Sequence, residues 1–116
     1  MAETDCLFCK IGRGEVPASR LLETDDVLAF RDINPQAPVH ILIIPREHIA
    51  SLGEVDESRA ALVGKLHLAA RELARRAGLD SQGWRVVTNV GVDAGQTVPH
   101  LHLHLLGGRS MSWPPG

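Results

Sequence analysis

Near its C-terminus the chain runs "PHLHLHLLGG", with His100, His102 and His104 at alternate positions and Leu101, Leu103 and Leu105 between them. Strict alternation of polar and apolar residues is the signature of a β-strand, whose successive side chains point to opposite faces. Three imidazoles then line one face, and three leucines anchor the strand in a core on the other. A rise of ~3.3 Å per residue spaces neighbouring histidines by roughly 6.6 Å and the outer pair by roughly 13 Å. Two of them can share a zinc ion, but the whole row is too long for one metal site. Solvated polar positions account for a lone histidine better than for three in register. The other reading is acid–base and nucleophilic work on an anion: a central imidazole attacks phosphorus while its neighbours donate protons or hydrogen bonds.

Upstream, "SRLLETDD" and "VLAFRD" read as two short strands joined by an acidic turn, and "NPQAP" breaks the chain at 34–38. "VHILIIP" is a third strand, apolar enough to be buried on both faces and stopped by Pro45. "CLFCKIGRGEVPA" makes a short helix at most. Leu62, Leu66, Ala69, Leu73 and Ala77 form one helical stripe inside "VDESRAALVGKLHLAARELARRAGLD". Asp56 or Ser58 can cap that helix, and Gly78 suits its end. His67 flanks the stripe and reads as structural. "WRVVTNVG" is a fourth strand, "VDAGQTVP" a loop, and "HLHLHLL" the fifth strand. This order predicts an α+β domain: a five-stranded, mostly antiparallel sheet with one main helix and a short N-terminal helix. A single domain over 1–116 is expected, with 107–116 as a C-terminal arm. Dimerisation is expected because the core is modest.

The 116 residues carry a formal charge of −2, so no broad basic field exists to hold long nucleic acid. A small anionic ligand needs only a few local donors. No apolar run is long enough to span a membrane, and "MAETDCLFCK" has no signal pattern, so the expectation is a cytoplasmic protein.

The triad "HLHLHLL", with "FRDINPQAPVHILIIPREHI", "FCKIGRGEVPA" and the ending "GGRSMSWPPG", resembles the histidine triad family and within it the Hint branch, the histidine triad nucleotide-binding proteins. The likeness runs through nearly the whole chain. It implies that His102 attacks the α-phosphorus of a nucleotide, oriented by the backbone carbonyl of His100. It implies that His104 donates to the phosphoryl oxygens and that His40 completes a proton relay with the nucleophile. Thr97 stands where the family often has Ser. Asp32 is placed to accept the ribose hydroxyls, with Asn89, Gly95, Gln96 and Thr97 near the phosphate. Ile33, Phe8 and Phe30 would wall the base. Trp113, on an arm reaching the partner's site in a homodimer, would shape leaving-group preference. Ser112 departs from relatives that carry His there.

The pair Cys6 and Cys9 is a weaker signal, open to a redox pair, two plain thiols or half a zinc site. His48 and His100 supply the two further ligands a tetrahedral zinc needs, and some relatives are similar in pairing them with such cysteines. A structural zinc is therefore expected, with no cofactor required for catalysis. The leading functional expectation is hydrolysis of the P–N bond in purine nucleoside 5′-phosphoramidates. Dinucleoside polyphosphate hydrolysis, nucleotidyl transfer, a nucleotide-binding regulatory module and a zinc-dependent structural module are the alternatives. The uridylyltransferase branch carries Gln at the third triad position, where this chain has His104.

Overall fold

A computed structural model describes residues 5–116; the first four residues of the expected domain lie outside the described residues. The elements are α1 (Leu7–Gly12), β1 (Arg20–Glu23), β2 (Val27–Arg31), β3 (Val39–Pro45), α2 (Ala60–Arg76), β4 (Trp84–Val87) and β5 (Leu103–Gly107). They build one antiparallel sheet in the order β1-β2-β3-β5-β4. The expected α+β fold is the one observed.

The central strand β3 is buried on both faces, as its unbroken apolar run requires. Ile41 and Ile43 pack with Leu66, Ala70 and Leu73 of α2, while Leu42 and Ile44 pack with Phe8 and Ile11 of α1. Pairing of Ile41 with Leu105 and of Leu42 with His104 carries this division into β5. Leu101, Leu103 and Leu105 all join the α2 core. The histidines are thereby left on the α1 face, where the site forms.

Two expected elements are shorter in the structure. The ladder of β5 begins at Leu103, so His102 lies just before it and His100 in the bend at 98–100, its N–H on the Val98 carbonyl at 2.8 Å. Continuing the pairing past Leu103–Ile43 would set Leu101 opposite Pro45, which has no N–H to donate. The Leu101 N–H bonds to the Ile49 carbonyl instead, at 2.6 Å. Strand β4 ends at Val87, opposite His104, and Thr88–Gly91 leave the sheet with it. In α2 the buried stripe is Leu66, Ala69, Ala70, Leu73 and Ala74, with Leu62 half-buried. Ala77 is exposed because the helix has ended at Arg76. Asp56 caps a 3₁₀ turn (Glu57–Arg59) that leads into α2. His67 is exposed and bonds back to the Val63 carbonyl at 2.9 Å.

Candidate active site

The four-histidine cluster is arranged by main-chain groups, and these settle the ring tautomers. His102 Nδ1 lies 2.6 Å from the His100 carbonyl. A carbonyl only accepts, so Nδ1 carries the proton and Nε2 keeps a free lone pair. The Gln36 N–H donates to His40 Nδ1 at 3.0 Å, which leaves the His40 proton on Nε2. That N–H donates to His104 Nδ1 at 2.9 Å. His104 must then bear its own proton on Nε2. His40 therefore bonds to His104, the ring next to His102, and the His104 and His102 ring centroids lie 5.0 Å apart.

Burial acts on the electrostatics in one direction. It lowers the pKa of His40, His100 and His102 below the usual histidine value. His104 is held down to about 4 by desolvation, then by the neighbouring His102 and His40. At neutral pH the cluster is uncharged. One imidazole offers a lone pair and the next offers an N–H, which is the division of labour a nucleophile and a phosphate donor need.

Both groups open on a cleft of about 270 Å³. Phe8, Phe30, Leu42, Val98 and the almost fully exposed Ile33 give it an apolar wall. Asp32, Thr97, His102 and His104 give it a polar end. Asp32 Oδ1 accepts the Asn34 N–H at 2.8 Å, and its Oδ2 lies 3.4 Å from His40 Nε2. Phe8 stands edge-on to Phe30, His100 and His102, with centroids 5.6, 5.9 and 5.1 Å away.

The expected residues of the 89–97 loop behave differently. Asn89 spends its side-chain amide on the Ala94 carbonyl, at 2.8 Å. Gln96 ties the loop together: its Oε1 accepts from Gly91 N–H, and its Nε2 donates to the Ala50 and Val98 carbonyls. Gly95 has φ +82°, and a Cβ there would meet nothing within 4 Å, so the glycine serves a left-handed turn. Asn89, Gly95 and Gln96 are not among the residues lining the cleft, and neither is Trp113, which is 83% exposed on the arm.

Cys6, Cys9, His48 and His100 converge beside this site. Cys6 Sγ is 3.3 Å from His100 Nδ1, and Cys9 Sγ is 3.3 Å from His48 Nδ1 and 3.5 Å from His100 Nδ1. Tetrahedral zinc with Zn–S ~2.3 Å and Zn–N ~2.0 Å sets its donors roughly 3.5 Å apart, so the set fits. His100 Nε2–H donates to the Pro45 carbonyl at 2.8 Å, which presents Nδ1 as the ligand atom. His100 thus faces the metal set with its ring and His102 with its backbone carbonyl. A second trio, Asp32, His40 and His104, also has converging donor atoms. There the Gln36 N–H holds the His40 proton on Nε2, which donates to His104 Nδ1 and lies 3.4 Å from the Asp32 carboxylate.

Residues 13–111 match the HIT domain. The chain belongs to the HIT domain family. Among solved structures it is similar to a HIT family hydrolase from Legionella pneumophila Philadelphia 1, at 52% identity and TM-score 0.95, over 97% of this chain and 100% of that one. A histidine triad nucleotide-binding protein from Candida albicans is 34% identical, with TM-score 0.81 over 95% of this chain and 83% of that one. A 14 kDa zinc-binding protein of Brassica juncea is 46% identical over 97% of this chain and 100% of its own length.

Sequence reasoning did not find the Gln36 and Pro45 main-chain contacts, because backbone groups leave no residue-type signal. The Asx turn at Asp32 was findable, since Asp two residues before the Asn of an Asn-Pro turn is a known turn former.

Proposed function

We propose that this HIT protein is a hydrolase of purine nucleoside 5′-phosphoramidates, working through a nucleotidyl-histidine intermediate. The observation that carries the reading is the 2.6 Å bond from His102 Nδ1–H to the His100 carbonyl, which leaves Nε2 as a neutral nucleophile at the cleft. The base lies against Phe8, Phe30 and Ile33, and the ribose hydroxyls meet Asp32. The His102 Nε2 lone pair forms a bond to the α-phosphorus as the P–N bond breaks, and the amine departs with a proton taken from solvent water. His104 Nε2–H donates to the phosphoryl oxygens, with its own Nδ1 held by His40. Water then attacks the phosphorus and gives a proton back to solvent, the P–N bond to His102 breaks with the pair returning to Nε2, and the nucleoside monophosphate is released.

Zinc at Cys6, Cys9, His48 and His100 supplies a structural cross-link; the names of relatives such as the Brassica juncea protein support it. His100 brings that cross-link next to the nucleophile through one residue. The protein acts as a homodimer in the cytoplasm, with Trp113 of the arm near the partner's cleft. Among the described residues no helix is long and apolar enough to cross a membrane.

The test is turnover of an adenosine phosphoramidate and of diadenosine tetraphosphate by the parent and by His102→Ala. Preferential turnover of the phosphoramidate, lost in the variant, supports the reading. Binding of AMP with no turnover of either substrate favours a regulatory module instead.

A further inference from the structure

We propose that Arg109, on the C-terminal arm, is a positioning residue that sets the tautomer of His40 through the Gln36 turn. The inference rests on the reading of His104 as the phosphate donor, and adds a residue that touches neither substrate nor any histidine.

Two groups favour the donor state of His104 through His40: the Gln36 N–H, which donates to His40 Nδ1, and the Asp32 carboxylate, 3.4 Å from His40 Nε2; of these only the Gln36 N–H makes a hydrogen bond to the ring. This N–H belongs to an exposed turn: Asn34, Pro35, Gln36 and Pro38 all face solvent, and only Ala37 is buried. The bonds within the turn, Gln36 Nε2 to the Asn34 carbonyl and Asn34 N–H to Asp32, shape its tip, while the Asp32 N–H closes its base on the His40 carbonyl at 3.0 Å. Two contacts from the arm fasten it to the sheet. Arg109 Nε donates to the Gln36 carbonyl at 3.0 Å, while its Nη1 donates to the Ser110 carbonyl at 3.1 Å and so fixes the guanidinium plane. Gly108, at φ +89°, passes so close to Pro38 that an added Cβ would sit 2.9 Å from the proline Cβ. Gly107 pairs with Val39, so the arm leaves the sheet beside the strand that carries His40.

The consequence follows from ring chemistry. If the turn drifts, His40 Nδ1 loses its donor and can take the proton itself. His40 Nε2 then accepts, His104 Nδ1 must donate, and His104 Nε2 turns a lone pair toward the phosphoryl oxygens. A donor becomes an acceptor, so transition-state stabilisation is lost more than ground-state binding. Arg suits the task because its fork binds two carbonyls in one plane, whereas Lys offers a single point donor.

The experiment uses the full-length protein with Arg109→Ala, Arg109→Lys and Gly108→Ala. Melting curves check folding, long-range ¹H–¹⁵N correlation spectra read the His40 tautomer, and steady-state kinetics use an adenosine phosphoramidate. The parent is expected to show His40 as the Nε2–H form. Arg109→Ala is expected to show a tautomer mixture and a kcat lower by roughly tenfold, the scale of one lost hydrogen bond from a charged donor, with little change in KM. Arg109→Lys recovers part of both, and Gly108→Ala moves both in the direction of Arg109→Ala. A single Nε2–H tautomer in folded Arg109→Ala overturns the inference whatever the activity does, and so does a changed tautomer with kcat intact. If Arg109→Ala does not fold, the Lys and Gly108 variants decide by the same two readouts. A parent that turns over no phosphoramidate sinks the proposed function, and the tautomer spectra still decide whether Arg109 governs His40.

Discussion

Replacing Phe8 with Ala should damage stability and substrate binding together, because one ring serves the core, the base wall and the nucleophile. Phe8 is 4% exposed and makes edge-on contacts with Phe30, His100 and His102. Truncating a buried Phe to Ala costs about 3–5 kcal/mol. With an unfolding entropy of roughly 2.1 cal/mol/K per residue, this chain loses on the order of 16 °C in Tm for a 4 kcal/mol cost. A chain of this size has a net stability of roughly 6–17 kcal/mol, so the variant stays folded at 25 °C unless the parent sits at the bottom of that range. The bond from His102 to the His100 carbonyl survives, but the ring loses its edge support. Each aromatic contact is worth about 0.5–1.5 kcal/mol, so KM for an adenosine phosphoramidate should rise up to roughly tenfold as the base wall opens. Thermal melts and initial-rate kinetics on Phe8→Ala, with Phe8→Leu as the apolar control, measure both effects. A Tm drop under about 4 °C, the equivalent of 1 kcal/mol, with unchanged KM would refute the reasoning, since no ring packed among three others leaves so small a mark.

Metal analysis of purified protein should find near-stoichiometric zinc. Chelation should remove it and lower Tm, the loss being ~4 kcal/mol if the ion stood at a thousandfold excess over its Kd. Cys6→Ser and Cys9→Ser should lose the zinc and the added stability together, and a parent without zinc contradicts the expectation. An NMR titration should place His104 near 4, far below an exposed histidine. Its folded pKa lies below the unfolded value, so the unfolded chain binds more protons between the two. His104 therefore withdraws stability as pH falls from about 6.5 towards 4, and urea midpoints should fall through that window. A midpoint for His104 at 6.5 or above contradicts the burial argument.

The sheet, its apolar central strand and the long helix were legible because alternation and helical stripes depend on side-chain type alone. The division of β5 into a leucine face and a histidine face was legible for the same reason. The exact start of that strand was not: it depends on Pro45 in a partner strand more than 50 residues away, which alternation within 100–106 does not register. Ala77 illustrates the limit of stripe reading, since it keeps the spacing after the helix has ended. In the site, the residue types carried the triad and the Cys–Cys–His–His set, whose four members the fold brings together. The pairing of His40 with His104 was not legible, because the choice is made by a turn N–H. The resemblance places Asn89 and Gln96 at the nucleotide; in this chain their side-chain N–H groups donate to the Ala94, Ala50 and Val98 carbonyls, bonds that residue type does not announce.

The central claim is that His102 Nε2 bonds to the nucleotide phosphorus. Rapid quenching of the protein with an adenosine phosphoramidate, followed by intact and peptide mass spectrometry, tests it directly. The expected result is a transient adenylyl adduct on the peptide that holds His102, forming and decaying at rates that match turnover and absent from His102→Ala. Full turnover by the parent with no adduct, and an equal rate from His102→Ala, would contradict the account.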